Sequence, residues 1–192
     1  GVSGQVGTNL AQLYLENGCK VYGVDLKKNK IKNKNFKFYK INISIKKNAA
    51  KIFNNILKKE KKIDIIVNNA AVSFFSNILK KTEREIDNTY DANLKSVINI
   101  TTEYFRKHKI KKLKSCKIIN IASIYGLLSP EFKIYGKNDR FSSEIYGATK
   151  AGLIQLTKYY SVLFAKYNIL VNCISPGGIE NSNVQSRKFQ KK

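Results

Sequence analysis

Apolar residues recur along this chain in two periods, and the two periods take turns. Over residues 6–16, Val6, Leu10, Leu13 and Tyr14 share one helical face, and Asn17 and Gly18 supply a stop. Residues 20–26 form an apolar, valine-containing run, and residues 36–43 alternate in the manner of a second strand after a lysine-rich turn. A helix is predicted around residues 49–59. Residues 63–67 are a β-branched run too short for a helix and suited to a strand buried on both faces of a parallel sheet. Helical spacing resumes over 82–109. Residues 116–122 read as a further buried strand, 144–166 as a long helix, and 168–174 as a last strand closed by Pro176, Gly177 and Gly178. Strand–helix alternation of this kind predicts right-handed crossovers and an α/β, doubly wound parallel sheet, with its ligand crevice at the C-terminal ends of the strands. One domain over residues 1–192 accounts for the whole pattern. Gly1 reads as the end of a strand-to-helix turn, so the first strand is expected to be missing and the chain to be truncated at both ends.

Composition narrows the classes further. The 192 residues are 43% hydrophobic and 26% charged, with 11 Gly and 2 Pro, which sets aside disordered and collagen-like chains. No apolar stretch approaches the roughly 18–20 uninterrupted residues of a membrane-spanning helix. Thirty-six basic residues against 13 acidic ones give a net charge of +23, which raises the question of nucleic acid or anionic membranes. Only Arg84, Arg106, Arg140 and Arg187 carry the guanidinium that phosphate and base recognition favours. Lys, Asn and Ile are abundant along the whole length, so the excess reads as a solvated surface, and neither nucleic acid nor membrane is expected as a partner.

Cys19, Cys116 and Cys173 are far apart and form no metal-ligand or disulfide pattern, so no metal is expected. Each sits at or inside an apolar run, where cysteine commonly acts as a small buried hydrophobe, and a reducing, cytoplasmic setting fits. His108, the single histidine, lies in the lysine-rich segment 107–114 and reads as a surface residue. That placement removes schemes that need a histidine beside a nucleophile.

Two short patterns suggest chemistry. Gly1, Gly4 and Gly7, spaced three apart ahead of a helix, allow backbone amides to approach a pyrophosphate at the positive helix end, although such a turn can also be purely structural. Asp25 ends the next strand, where a carboxylate can accept hydrogen bonds from the adenosine ribose and repel the extra phosphate of NADP. Lys27 and Lys28 could neutralise that phosphate, so NAD is favoured and NADP stays open. Tyr146 and Lys150 are four apart on a predicted helix, about 5–6 Å between Cβ atoms. A nearby ammonium stabilises a phenolate, whose ordinary pKa is about 10. In a chain with 11 Tyr and so much Lys the spacing also arises by chance.

The order of motifs is more specific than either pattern. Asn68, Asn69, Ala70 and Ala71 close one strand, Asn93 sits in the following helix, and Asn120, Ile121, Ala122 and Ser123 end the next strand. Tyr146, Gly147, Ala148, Thr149 and Lys150 come next, then Pro176, Gly177 and Gly178. This succession resembles the short-chain dehydrogenase/reductase family over practically the entire chain. The resemblance implies a Rossmann-type fold and hydride transfer between a nicotinamide cofactor and a carbonyl or alcohol of a small substrate. It implies that Tyr146 is the general acid/base and that Lys150 lowers its pKa and binds the nicotinamide ribose. Ser123 would hold the substrate oxygen, and Asn93 would support a water in the proton relay. For the cofactor it implies a cradle of Gly1, Ser3, Gly4, Gln5, Val6 and Gly7. Asp25, Asn42, Ile43, Asn69, Ala70, Ala71, Tyr146, Lys150, Pro176, Gly177, Gly178 and Ile179 complete the cofactor contacts.

The chain departs from the family pattern in places. Its glycine spacing is nearer to the branch that acts on nucleotide sugars. Asn42 stands where an aspartate often contacts adenine, and Asn181 where a threonine usually binds the carboxamide. The stretch between Ser123 and Tyr146 is long and carries Tyr125, Pro130, Phe132, Tyr135 and Phe141. These residues either shape a pocket for a sugar ring or another flat polar ligand, or pack onto the sheet. A fainter likeness is to members found with bacterial surface-sugar and flagellin-modification pathways. Leu153, Leu156, Tyr160 and Leu163 exceed one core-facing stripe of the 144–166 helix, so a homodimer or homotetramer is expected. Two other readings stay open: a dinucleotide-binding regulator or scaffold, and a basic nucleic-acid-binding module.

Overall fold

The computed structural model describes residues 1–135 and 141–180. In chain order the elements are α1 (Gln5–Glu16), β1 (Val21–Asp25), β2 (Phe36–Lys40), α2 (Lys46–Leu57), β3 (Ile65–Asn68), β4 (Phe75–Ser76), α3 (Glu83–Tyr90), α4 (Ser96–Lys111), β5 (Cys116–Ile121), β6 (Phe141–Ser142), α5 (Glu144–Phe164) and β7 (Ile169–Ile174). β1 pairs with β2, and β5 lies between β3 and β7, all in parallel register. β1 and β3 come together at the glycine turn, where the Val2 amide donates to the Val24 carbonyl at 3.2 Å and Asn69 donates to the Gly1 carbonyl at 2.8 Å. The chain therefore steps outward one way from β1 to β2 and the other way from β3 through β5 to β7, which is the doubly wound α/β order.

One core holds the larger half together. Cys116 and Ile118 of β5 and Ile169 and Val171 of β7 meet Ala49 and Phe53 of α2, Ile100 and Tyr104 of α4, and Tyr160 and Phe164 of α5. Burying each large apolar side chain of this set contributes about 1.5–3 kcal/mol. Phe164 stacks on Phe105 at 4.3 Å and on Tyr160 at 5.1 Å between ring centroids, which fixes the α4–α5 contact. A polar thread crosses the same sheet. Asn68 donates to Asn120 at 2.8 Å, Asn120 donates to Thr157 at 2.8 Å, and Thr157 donates to the Leu153 carbonyl at 2.8 Å, so these buried groups satisfy one another.

Several local expectations change. The buried stripe of α1 is Gly7, Ala11 and Leu15, four apart on one face, while Leu13 falls on the opposite side and stays exposed. Leu153 and Tyr160 of α5 are core residues, and the apolar surplus on that helix is Tyr159, Val162 and Leu163. The single helix expected over 82–109 is two helices joined by a π turn at Asp91–Lys95. Its start matches the sequence: Thr82 and Glu85 form a reciprocal capping box.

His108 is not a surface residue but 7% exposed, since it lies one helical turn after Tyr104 on the inner face of α4, between the rings of Tyr104 and Tyr167. Burial pushes its pKa down. Cys116 is in the core as expected and Cys173 is half-buried, whereas Cys19 is exposed in the turn that ends α1. Among the described residues no helix is long and apolar enough to cross a membrane, and no cluster of His, Cys, Asp and Glu could hold a metal.

Candidate active site

Asp25, Asn69 and Ser123 lie at or just beyond the C-terminal ends of parallel strands, and the helices bring the other candidate residues to them. The glycine turn enters α1 there. A Cβ on Gly1 would lie 2.6 Å from the backbone of Ala70, and one on Gly7 would lie 2.1 Å from the Gly1 carbonyl oxygen, so the turn can pack this tightly only with glycine. Asn69 donates to the Gly1 carbonyl at 2.8 Å, which locks the turn to the end of β3. The first turn of α1 contains no acidic residue and no side-chain cap, so its leading amides are turned toward whatever lies above them, as an anion requires.

Asp25, at the tip of β1, accepts from the backbone amides of Ser3 and Lys27, each at 2.9 Å. Burial pushes its pKa up, but the amides of Lys27 and Ser3 outweigh that and hold the carboxyl below its usual range. Asn42 turns its oxygen to the amide and hydroxyl of Ser44, each at 2.9 Å, and Ile43 packs against the core. On the far side, Gln5 donates to the Glu180 carbonyl at 2.8 Å, which joins the glycine turn to the segment that follows Pro176, Gly177 and Gly178. Ala71 and Ile179 are exposed at this rim, Val6 is half-buried, and Asn181 lies outside the described residues.

The Tyr146 and Lys150 pair is brought to the same place by α5. Lys150 is 3% exposed. Its Nζ donates to the Ile121 carbonyl at 2.7 Å and stands 5.6 Å from the centre of the Tyr146 ring. Burial alone lowers its pKa to about 8, so it is still mostly cationic at neutral pH. Ser123, two residues beyond β5, is in extended backbone, and its hydroxyl oxygen accepts from the Tyr125 amide at 3.2 Å, leaving the O–H to donate elsewhere. The turn after Ser123 presses directly on α5. A Cβ on Gly126 would lie 2.7 Å from the backbone of Lys150, and one on Gly147 would lie 2.9 Å from the Tyr125 carbonyl oxygen. Pro176 accepts from the Ile124 amide at 3.0 Å and ties the end of β7 to that turn.

Asn93 lies inside the π turn and is 1% exposed. Its side chain is fully engaged: Oδ1 accepts from the Val72 amide at 2.7 Å, and Nδ2 donates to the Val72 carbonyl at 3.0 Å and to Thr149 at 3.2 Å. The loop leaving β3 is thereby tied to the helix that carries Tyr146.

A small clamp closes one side of this region. β4 pairs antiparallel with β6, and both strands are too short to read from sequence. Phe141 meets Phe132 at 5.2 Å and Tyr135 at 6.0 Å, Phe75 meets Tyr135 at 6.2 Å, and the Tyr125 and Tyr135 hydroxyls are 3.2 Å apart. The aromatics of the long loop thus pack on one another and on the loop after β3. The sequence reading also missed Lys81, whose ammonium meets Ser143 and Glu144 at the start of α5. Nothing local in the sequence points to a contact between segments 62 residues apart.

The family model described as short chain dehydrogenase matches residues 1–192. Among curated proteins, the chain is 36% identical over 87 residues to an acetoacetyl-CoA reductase of Acinetobacter sp. (strain RA3849), covering 45% of this chain and 30% of that protein. It is 34% identical over 83 residues to a post-translational flagellin modification protein A of Campylobacter coli, covering 42% of this chain and 32% of that protein. The matched segments thus span about a third of those relatives' length. A crystal structure of a short chain dehydrogenase from Leptospira borgpetersenii serovar Hardjo-bovis (strain JB197) with bound NAD+ superposes with a TM-score of 0.91 at 34% identity, covering 100% of this chain and 73% of that one.

Proposed function

Because the chain belongs to the short-chain dehydrogenase family, we propose that it is an NAD-dependent oxidoreductase interconverting a carbonyl and an alcohol on a small, sugar-derived substrate. The observation that carries this reading is the convergence of Tyr146 and Lys150 with the Ser123 turn, enforced by the glycine contacts at Gly126 and Gly147. Supporting it, the bare first turn of α1 and the Gly1–Gly7 cradle suit a pyrophosphate, and Asp25 suits an unphosphorylated adenosine ribose. The nicotinamide, when bound, supplies or takes the hydride.

This chain's own groups handle the proton and the positioning. The Tyr146 phenol gives its proton to the carbonyl oxygen during reduction, becoming a phenolate, and that phenolate takes a proton from the hydroxyl during oxidation. The Ser123 O–H, free of the Tyr125 contact, donates to the same substrate oxygen and fixes its place. Lys150, anchored on the Ile121 carbonyl, keeps two further N–H donors for a ribose hydroxyl and a positive charge beside the phenol. Asn93, with its side chain committed to Val72 and Thr149, serves the relay through its backbone, which the π turn displaces from regular helical bonding. The exposed Tyr159, Val162 and Leu163 stripe of α5 suits a second copy of the protein, in a homodimer or homotetramer. The glycine spacing, which resembles that of the branch acting on nucleotide sugars, supports a sugar-derived substrate.

The test is oxidation of NADH by the complete protein across a panel of nucleotide sugars and simple ketones, repeated with Tyr146→Phe. Loss of at least about a hundredfold in kcat with NADH affinity unchanged is expected. Unchanged turnover in the variant would remove Tyr146 from the chemistry.

A further inference from the structure

The junction of β4 with β6 joins two distant segments beside the catalytic helix, and one side chain fastens it. Lys81, at the end of the loop that follows β4, has only 4% of its side chain exposed. Its Nζ donates to Ser143 Oγ at 3.2 Å and forms a close ion pair with Glu144. Ser143, 4% exposed, stands immediately ahead of α5. Its carbonyl accepts from the backbone amides of Tyr146 at 3.1 Å and Gly147 at 3.3 Å. The residues that Lys81 grips are therefore the ones that set the first turn of the helix.

A buried ammonium persists only where it is paired and hydrogen-bonded, and the positive end of a helix repels it. The two partners at the start of α5 overcome both costs. Burial pushes the Glu144 carboxyl up, and the Lys81 hydrogen bond, the residue's own backbone amide and the Lys81 charge together hold it below its usual range. On the oxidoreductase reading of this site, we propose that Lys81 is a positioning residue: by clamping Ser143 and Glu144 it fixes where α5 begins and so aims the Tyr146 phenol relative to Ser123. Lys81 acts through the helix start and does not touch the reacting atoms.

The test compares Lys81→Met, which keeps the bulk and removes the charge and donors, with Lys81→Arg, which keeps both. Glu144→Gln, at a side chain 58% exposed, weakens the same clamp without burdening the fold and carries the comparison if Lys81→Met does not fold. Amide exchange over residues 143–148, NADH affinity by fluorescence, and NADH oxidation with 2,3-butanedione as the probe are read on the same complete proteins. Lys81→Met is expected to speed exchange of the Tyr146 and Gly147 amides about tenfold and to lower kcat about tenfold, leaving KM for the diketone and NADH affinity within about twofold. Lys81→Arg restores both, and Glu144→Gln falls between. Unchanged exchange in Lys81→Met and Glu144→Gln, or faster exchange with unchanged kcat, overturns the proposal. A wild-type protein that binds no NADH and oxidises none overturns the oxidoreductase reading instead, and the exchange comparison still decides whether Lys81 sets the helix start.

Discussion

Lys150 carries a burial cost that the fold does not fully offset. It is almost wholly buried, and its ammonium has one hydrogen bond, to the Ile121 carbonyl, and the Tyr146 ring nearby. Its pKa of about 8 in the folded chain lies below the ordinary lysine value of about 10.5. The unfolded chain therefore holds more protons between those two values, and this residue's contribution to stability rises with pH through that window. Below pH 8 the full cost applies. Lys150→Met is accordingly expected to stabilise the protein at pH 7 by about 1–2 kcal/mol, to lose most of that gain at pH 10, and to abolish turnover. Urea melts at the two pH values check it, and a variant less stable at pH 7 contradicts the burial account. At this scale the sequence pointed to Asn93, Ser123, Tyr146 and Lys150 through the resemblance of its motif order to the short-chain dehydrogenase/reductase family, and not through any one spacing. It misplaced His108 and Cys19, because a lysine-rich neighbourhood and an apolar neighbourhood are averages, whereas burial is decided by which way one side chain turns.

Elements position these residues by backbone contact more than by side-chain bonds. The turn after Ser123 and the first turns of α5 touch through glycine on each side, at Gly126 and Gly147, so the distance between Ser123 and Tyr146 is set by the absence of two methyl groups. Gly147→Ala places a Cβ 2.9 Å from the Tyr125 carbonyl oxygen and must push the two elements apart. The expected outcome is a loss in kcat of about tenfold or more with NADH affinity nearly unchanged, since the glycine-rich turn and Asp25 are built elsewhere. Steady-state kinetics beside a fluorescence titration check it, and a matched fall in affinity would show that the contact supports the whole crevice. The long elements were legible because their apolar spacing persists over several turns or a full strand. The π turn at Asp91–Lys95 was not, because a single extra residue hardly disturbs the pattern on either side. β4 and β6, two residues each, carry no period at all.

At the scale of the molecule, the order of strands divides the crevice between two walls. The glycine turn and Asp25 stand with β1 and β2, and Ser123, Tyr146 and Lys150 with β3, β5, β7 and α5. The contacts of Asn69 with Gly1 and of Gln5 with Glu180 cross between them. A ligand that grips both walls binds the folded chain and not the unfolded one. NADH at about a hundred times its Kd is therefore expected to add about 2.7 kcal/mol of stability and to raise the melting temperature of the complete protein by about 5–10 °C. A thermal shift measured with and without NADH tests this, and no shift at saturating NADH counts against cofactor binding. The architecture was readable from the alternation of strands and helices, while the bonds across the crevice, made between residues far apart in sequence, were not. On the proposed NAD-dependent reading, the divided crevice makes a dinucleotide a ruler. Adenylate and nicotinamide mononucleotide given separately each meet one wall and pay twice for immobilisation, while the anhydride tether between them delivers the second half at millimolar effective concentration. A tether one methylene longer or shorter would report, through its lost avidity, how far apart this protein holds its two walls.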